Sequence, residues 1–190
     1  MTKRVFIIHG WGADSESNWF PWIKKELESK GFEVHTPAMP NTDFPVIKEW
    51  ISALKKAVGK PDKETYFIGH SIGCQTIIRY LEKENIKVGG VLFVAGFINS
   101  NGRALATLSV EDKEVIEPWL TTPIDFDKVK SSANKIVSIF SDDDQFVPLD
   151  DNKIFKDKLN SKIIILKNKG HILDFICPPV LAEFLKLANQ

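Results

Sequence analysis

Gly69-His70-Ser71-Ile72-Gly73 is the stretch of this chain whose residue types and spacing point most directly to chemistry. It fits G-x-S-x-G, a pattern that is weak alone and strong between a strand and a helix. Both flanks read that way. Tyr66-Phe67-Ile68 is a short apolar run, and Cys74–Leu81 carries helical spacing. Glycines two residues before and after the serine let strand and helix nearly touch, where a side chain would meet neighbouring backbone. Such a turn strains Ser71 and lifts its hydroxyl above the sheet at a helix N-terminus. The chemistry this serves is nucleophilic attack on a carbonyl.

A hydroxyl is a poor nucleophile near neutral pH and needs a base. The chain has four histidines. His9 lies in the first loop and His35 in a predicted strand. His70 is inside the turn, with its ring expected to point away from Ser71. His171 follows the last predicted strand in Asn168-Lys169-Gly170-His171, and position makes it the candidate base. The acid is sought in Ser141-Asp142-Asp143-Asp144-Gln145-Phe146-Val147-Pro148, directly after the fifth predicted strand. One carboxylate there can accept the Nδ1 hydrogen of His171 and so set the tautomer. Three adjacent aspartates leave the choice ambiguous. The Asp-x-x-Val-Pro spacing favours Asp144, with Asp143 next; Asp142 and Asp143 are then expected to be solvated turn residues.

A tetrahedral intermediate also needs donors aimed at its developing charge. The amide of Ile72, just after the serine, is one candidate. The other is the amide of Trp11 in His9-Gly10-Trp11-Gly12, where two glycines free the backbone to turn inward. The Trp11 and Trp119 indoles are candidates for lining the substrate site, with core packing as the alternative for each.

These residues need a scaffold that brings distant loops together. Short apolar runs recur at Val5–Ile8, Tyr66–Ile68, Val91–Val94, Ile136–Phe140 and Ile163–Leu166, with a weaker one at Phe32–Thr36. Runs of this kind suit strands buried on both faces, as in a parallel sheet. Helical spacing falls between them over Trp19–Lys30, Val46–Val58, Gln75–Lys83 and Pro178–Ala188. Alternation of this kind predicts about six mostly parallel strands with helices on both faces. No linker divides the 190 residues, so a single domain is expected. The least regular stretch is roughly 96–132, with turn chemistry at Asn99-Ser100-Asn101-Gly102 and one predicted helix around Val110–Ile116.

Composition narrows the partners. Lysine plus arginine and aspartate plus glutamate number 25 each, which argues against nucleic acid and anionic membranes. The first apolar run is too short for a signal sequence or a membrane span, so a cytoplasmic location is expected. Cys74 and Cys177 have no metal-type spacing and are expected as free thiols.

Taken together, Val5–Trp11 with Asn18–Trp22, Gly69–Gly73, Ser141–Pro148 and Gly170-His171 resemble the compact serine hydrolases of the YdeN type, a family with a vertebrate retinoblastoma-binding member. The resemblance spans essentially the whole chain. It implies a minimal three-layer α/β-hydrolase fold with strand order 2-1-3-4-5-6, and a triad of Ser71, Asp144 and His171. The Leu-x-Cys-x-Glu element associated with retinoblastoma binding is absent, so that interaction is not carried over. The expected activity is hydrolysis of a small ester, thioester or activated amide through an acyl-enzyme, with no metal or organic cofactor. A monomer is compatible with this reading. A protein-interaction module with a vestigial triad is the alternative.

Overall fold

The computed structural model describes residues 2–84, 86–98 and 108–189. Six strands form one parallel sheet: β1 (Arg4–Ile8), β2 (Glu33–His35), β3 (Thr65–His70), β4 (Gly90–Val94), β5 (Ile136–Ser141) and β6 (Lys162–Leu166). Their order is β2-β1-β3-β4-β5-β6. The chain therefore reverses its direction of travel across the sheet between β1 and β3, and loops leaving the carboxyl ends on either side of such a point frame a crevice. Register brings those ends level: Ile8 pairs with Gly69, His70 with Val94 and Ser141 with Leu166.

Every residue of β3, β4 and β5 is buried. This is why those strands read as unbroken apolar runs, and it matches the sequence expectation. β6 is different. Its Lys-Ile-Ile-Ile-Leu is as apolar as any central strand, yet it is an edge with β5 as its one neighbour, and Ile165 is 46% exposed.

Seven helices flank the sheet among the described residues: α1 (Phe20–Glu28), α2 (Ile47–Val58), α3 (Ile72–Glu84), α4 (Val110–Thr121), α5 (Phe126–Ser132), α6 (Asp151–Leu159) and α7 (Pro178–Ala188). Alternate strand residues feed two separate cores. Phe6, Ile8, Phe67, Val91, Phe93 and Phe140 pack against α2 through α6. Val5, Ile7, Tyr66, Ile68, Leu92 and Ile139 pack against α1 and α7. The three-layer expectation stands.

Two differences concern 96–132. The helix expected around Val110–Ile116 runs on to Thr121, through Pro118, and α5 follows it, begun by the Asp125 carboxylate accepting from the Lys128 amide at 3.2 Å. The stretch is thus largely helical beyond residue 109. The predicted turn at Asn99–Gly102 lies outside the described residues. No helix among the described residues is long and apolar enough to cross a membrane.

Candidate active site

The turn after β3 is as tight as its glycines suggest. A Cβ on Gly73 would lie 2.3 Å from the Ile8 carbonyl oxygen and 2.6 Å from that of His9. One on Gly69 would lie 2.9 Å from the backbone of Cys74. Ser71 itself has φ of 54°, in the left-handed region that a non-glycine residue enters at a cost. The strain is held in place by two backbone hydrogen bonds, Ser71 N–H to the Val94 carbonyl and Cys74 N–H to the Ser71 carbonyl, both 3.0 Å. The neighbouring Cys74 thiol is buried and pushed well up by desolvation, so it offers no competing nucleophile.

Across the sheet edge, the last residue of β5 and the three that follow it meet four consecutive residues beyond β6. Asp142 accepts from the Asn168 amide at 2.9 Å, and the Ser141 hydroxyl from the Lys169 amide at 2.9 Å. Asp143 accepts from the Gly170 amide at 2.8 Å, and Asp144 Oδ2 lies 2.8 Å from His171 Nδ1. The second oxygen of Asp144 accepts from the Phe146 and Val147 amides at 2.8 and 3.0 Å, which fixes the carboxylate plane. Of the three aspartates, Asp144 is therefore the one in contact with the imidazole. Asp142 and Asp143 are the exposed turn residues expected, and each also accepts a hydrogen bond from the loop that carries His171. Asp143 is held below the usual carboxylate range by the Ser141 hydroxyl and the Gly170 amide.

That loop enters the left-handed region at Asn168, with φ of 54°, and at two further residues. Gly170 has φ of 50° and the β-branched Ile172 has φ of 55°. A β-branched side chain in this region costs on the order of 1–3 kcal/mol and persists only where its surroundings over-determine it.

His9 and His70 take supporting positions. The Met39 amide donates to His9 Nε2 at 3.1 Å, so the proton sits on Nδ1, which donates to the Gly10 carbonyl at 2.9 Å. In a trans peptide C=O and N–H point in opposite directions, so the Trp11 N–H is turned away from His9. Gly10 packs on Ser71, since a Cβ there would be 3.3 Å from Ser71 Cβ. Among the described residues, no backbone carbonyl takes the Trp11 or the Ile72 amide. The His70 ring lies behind the site, its Nε2 2.9 Å from the His171 carbonyl. Burial, followed by the His171 charge, lowers His70 to about 3, so it stays neutral.

Ser71, His171, Trp11 and His70 all line one cavity of about 450 Å³, whose apolar wall includes Phe97, Ile116, Leu120, Phe146 and Leu173. Among the described residues, no aspartate, glutamate, lysine or arginine lines it. The Trp11 indole is at this cavity, with its N–H on the Asp43 carbonyl at 2.8 Å. Trp119 is not. Its indole is 1% exposed, stacks edge-on against Trp50 and donates to the Pro45 carbonyl at 2.9 Å. It belongs to the core, and its helix neighbours Ile116 and Leu120 face the cavity instead. Helical periodicity marks that face once α4 is known to continue past Ile116; the other wall residues come from separate loops, and nothing in the sequence joins them.

A parallel six-stranded sheet with a serine on the tight turn after β3 defines an α/β hydrolase. The Serine hydrolase family model matches residues 5–174, and the chain belongs to this family. It is similar to the hydrolase YdeN of Bacillus subtilis, 32% identical over 190 residues that cover 97% of this chain and 95% of that protein. It is also similar to the serine hydrolase RBBP9 of Rattus norvegicus, 25% identical over 172 residues, covering 90% and 87%. The crystal structure of the B. subtilis ydeN gene product superposes with a TM-score of 0.88 at 29% identity over the full length of both chains. Est1E from Butyrivibrio proteoclasticus shares the fold, with a TM-score of 0.73 at 17% identity over 100% of this chain and 89% of that one.

Proposed function

We propose that this serine hydrolase cleaves small esters, and by the same chemistry thioesters or activated amides, whose acyl group is uncharged and apolar. The observation that carries the reading is the Asp144–His171 hydrogen bond at the rim of the cavity that Ser71 enters. With Nδ1 committed to Asp144, Nε2 of His171 is the nitrogen left to take the Ser71 proton as Oγ attacks the carbonyl carbon. The Trp11 and Ile72 amides stabilise the oxyanion. His171 then protonates the leaving group, and water, deprotonated by the same nitrogen, releases the acid from the acyl-enzyme.

Substrate size follows from the cavity. At about 450 Å³ it lies low in the range of roughly 300–1,000 Å³ usual for small-molecule sites. Its described wall is largely apolar, built from Phe97, Ile116, Leu120, Phe146 and Leu173, which favours short to medium aliphatic or aryl acyl groups.

Turnover of p-nitrophenyl esters from acetate to dodecanoate tests this, with wild type and Ser71→Ala side by side. Wild type is expected to peak at short to medium chains and Ser71→Ala to fall to the rate of buffer. Equal rates for the two proteins, or fluorophosphonate labelling that survives Ser71→Ala, would overturn the assignment.

A further inference from the structure

The strain in the loop after β6 needs restraint on both sides. Ser141, Asp142 and Asp143 hold its amides from the β5 side. Its His171 and Ile172 carbonyls are held from the other side, by residues near α1 and β3. The Trp19 indole N–H donates to the Ile172 carbonyl at 3.0 Å, and His70 Nε2 lies 2.9 Å from the His171 carbonyl. A carbonyl can only accept, so His70 carries its proton on Nε2. We propose that Trp19 and His70 are positioning residues for His171, two buried donors that hold consecutive carbonyls and so keep the imidazole aligned between Asp144 and Ser71. The proposal rests on the reading of Ser71, His171 and Asp144 given above.

The chemistry of the two side chains supports it. His70 is enclosed by the Trp19, Phe20 and His171 rings, at centroid distances of 5.9, 5.9 and 4.9 Å. An apolar side chain would fill such a space without loss. The imidazole instead leaves Nδ1 buried, beside Gly10, with no hydrogen-bond partner among the described residues. An unpaired buried nitrogen is unfavourable, so what the ring contributes is its single donor. Trp19 is fully buried against Phe20, and its one polar atom is likewise spent on the loop. Neutrality matters too. A charged ring at position 70 would repel the imidazolium that His171 becomes during turnover, and burial keeps His70 uncharged.

The arrangement also explains how Ile172 tolerates a positive φ. Its carbonyl is bound by Trp19 and its amide by the Lys169 carbonyl at 2.9 Å, while its side chain is fully buried. Release of either carbonyl would let the peptide relax toward ordinary φ and swing the imidazole off Asp144.

Trp19→Phe, His70→Leu and His70→Gln test this against Ser138→Ala, which removes a buried 2.7 Å hydroxyl contact to Ser161 away from the site. The readouts are kcat and KM on p-nitrophenyl butyrate, thermal midpoint, and amide exchange over residues 168–173. Trp19→Phe and His70→Leu are expected to lower kcat by about 10- to 100-fold with KM within about twofold, as misplacement of a catalytic group does. Exchange in the loop should quicken in both. His70→Gln, which restores a donor, should recover most of the rate, and Ser138→Ala should keep wild-type kcat at whatever midpoint it has. Unchanged loop exchange in Trp19→Phe and His70→Leu, a rise in KM alone, or kcat losses that merely follow the thermal midpoint across all four variants would overturn the clamp. If wild type shows no Ser71-dependent hydrolysis, the parent reading fails, and the exchange measurement alone decides whether the two donors hold the loop.

Discussion

The two sides of the cavity are built on opposite principles. On one side, residues 141–144 and 168–171 interlock through a hydrogen bond at almost every position, each with a defined donor and acceptor. On the other, Phe97, Ile116 and Leu120 offer apolar surface and no directional contact. Hydrogen bonds lose their value within a fraction of an ångström, whereas apolar contact is proportional to area and indifferent to small shifts. On the proposed reading, the braced side moves a proton and the apolar side accepts a range of acyl groups. Change on the first should abolish rate; change on the second should redistribute it.

The sharpest break in that contrast comes from Asp144. Asp144→Asn should lower kcat by about 10⁴-fold with the fold intact, because the amide favours the wrong imidazole tautomer. Asp143→Asn should cost about tenfold, since the Gly170 amide keeps an acceptor in the carboxamide oxygen while the Ser141 contact weakens. Steady-state kinetics on one ester settles both, and a reversed order would mean that Asp143 is the triad acid.

On the apolar side, Leu120→Ser should reduce kcat/KM for hexanoate by about tenfold and leave acetate within about twofold, as loss of apolar contact in a pocket does. A uniform loss across chain lengths would place Leu120 on the wrong side of the comparison. The remaining effect is on stability rather than rate. His70 ionises near 3 in the folded protein and near 6.5 when exposed, so between these values the unfolded chain binds a proton that the native state refuses. Stability is complete above pH 6.5 and falls as the pH drops toward 3, by about 2 kcal/mol between pH 7 and pH 5 for this group. His9, lowered by burial, acts in the same direction. Urea unfolding at the two pH values measures the drop, and His70→Gln should make it shallower.

The parts of this site that depend on neighbours in sequence were legible without coordinates. Gly69 and Gly73 bracket Ser71 because the turn itself demands it, and the contacts to Ile8 and Cys74 show the reason. The central strands announced themselves because burial on both faces selects apolar residues at nearly every position. Where burial is partial, the pattern faded. α6 reads Asp-Asn-Lys-Ile-Phe-Lys-Asp-Lys-Leu, and its two fully buried hydrophobic residues, Phe155 and Leu159, are too sparse to mark a helix. Trp119 was ambiguous for a related reason. A tryptophan suits a core and a substrate wall equally, and which face of α4 turns inward depends on where Pro45 and Trp50 lie.

By itself, the sequence determined the parallel sheet, and it singled out Ser71, with candidate partners in a fixed order along the chain, since each is written in local spacing and side-chain type. Only the tertiary structure decided which of three aspartates meets His171, and that Trp19 and His70, 153 and 101 residues from their acceptors, reach around to its loop. Contacts across such separations follow from how strands and helices pack in space, and no periodicity along the chain encodes them.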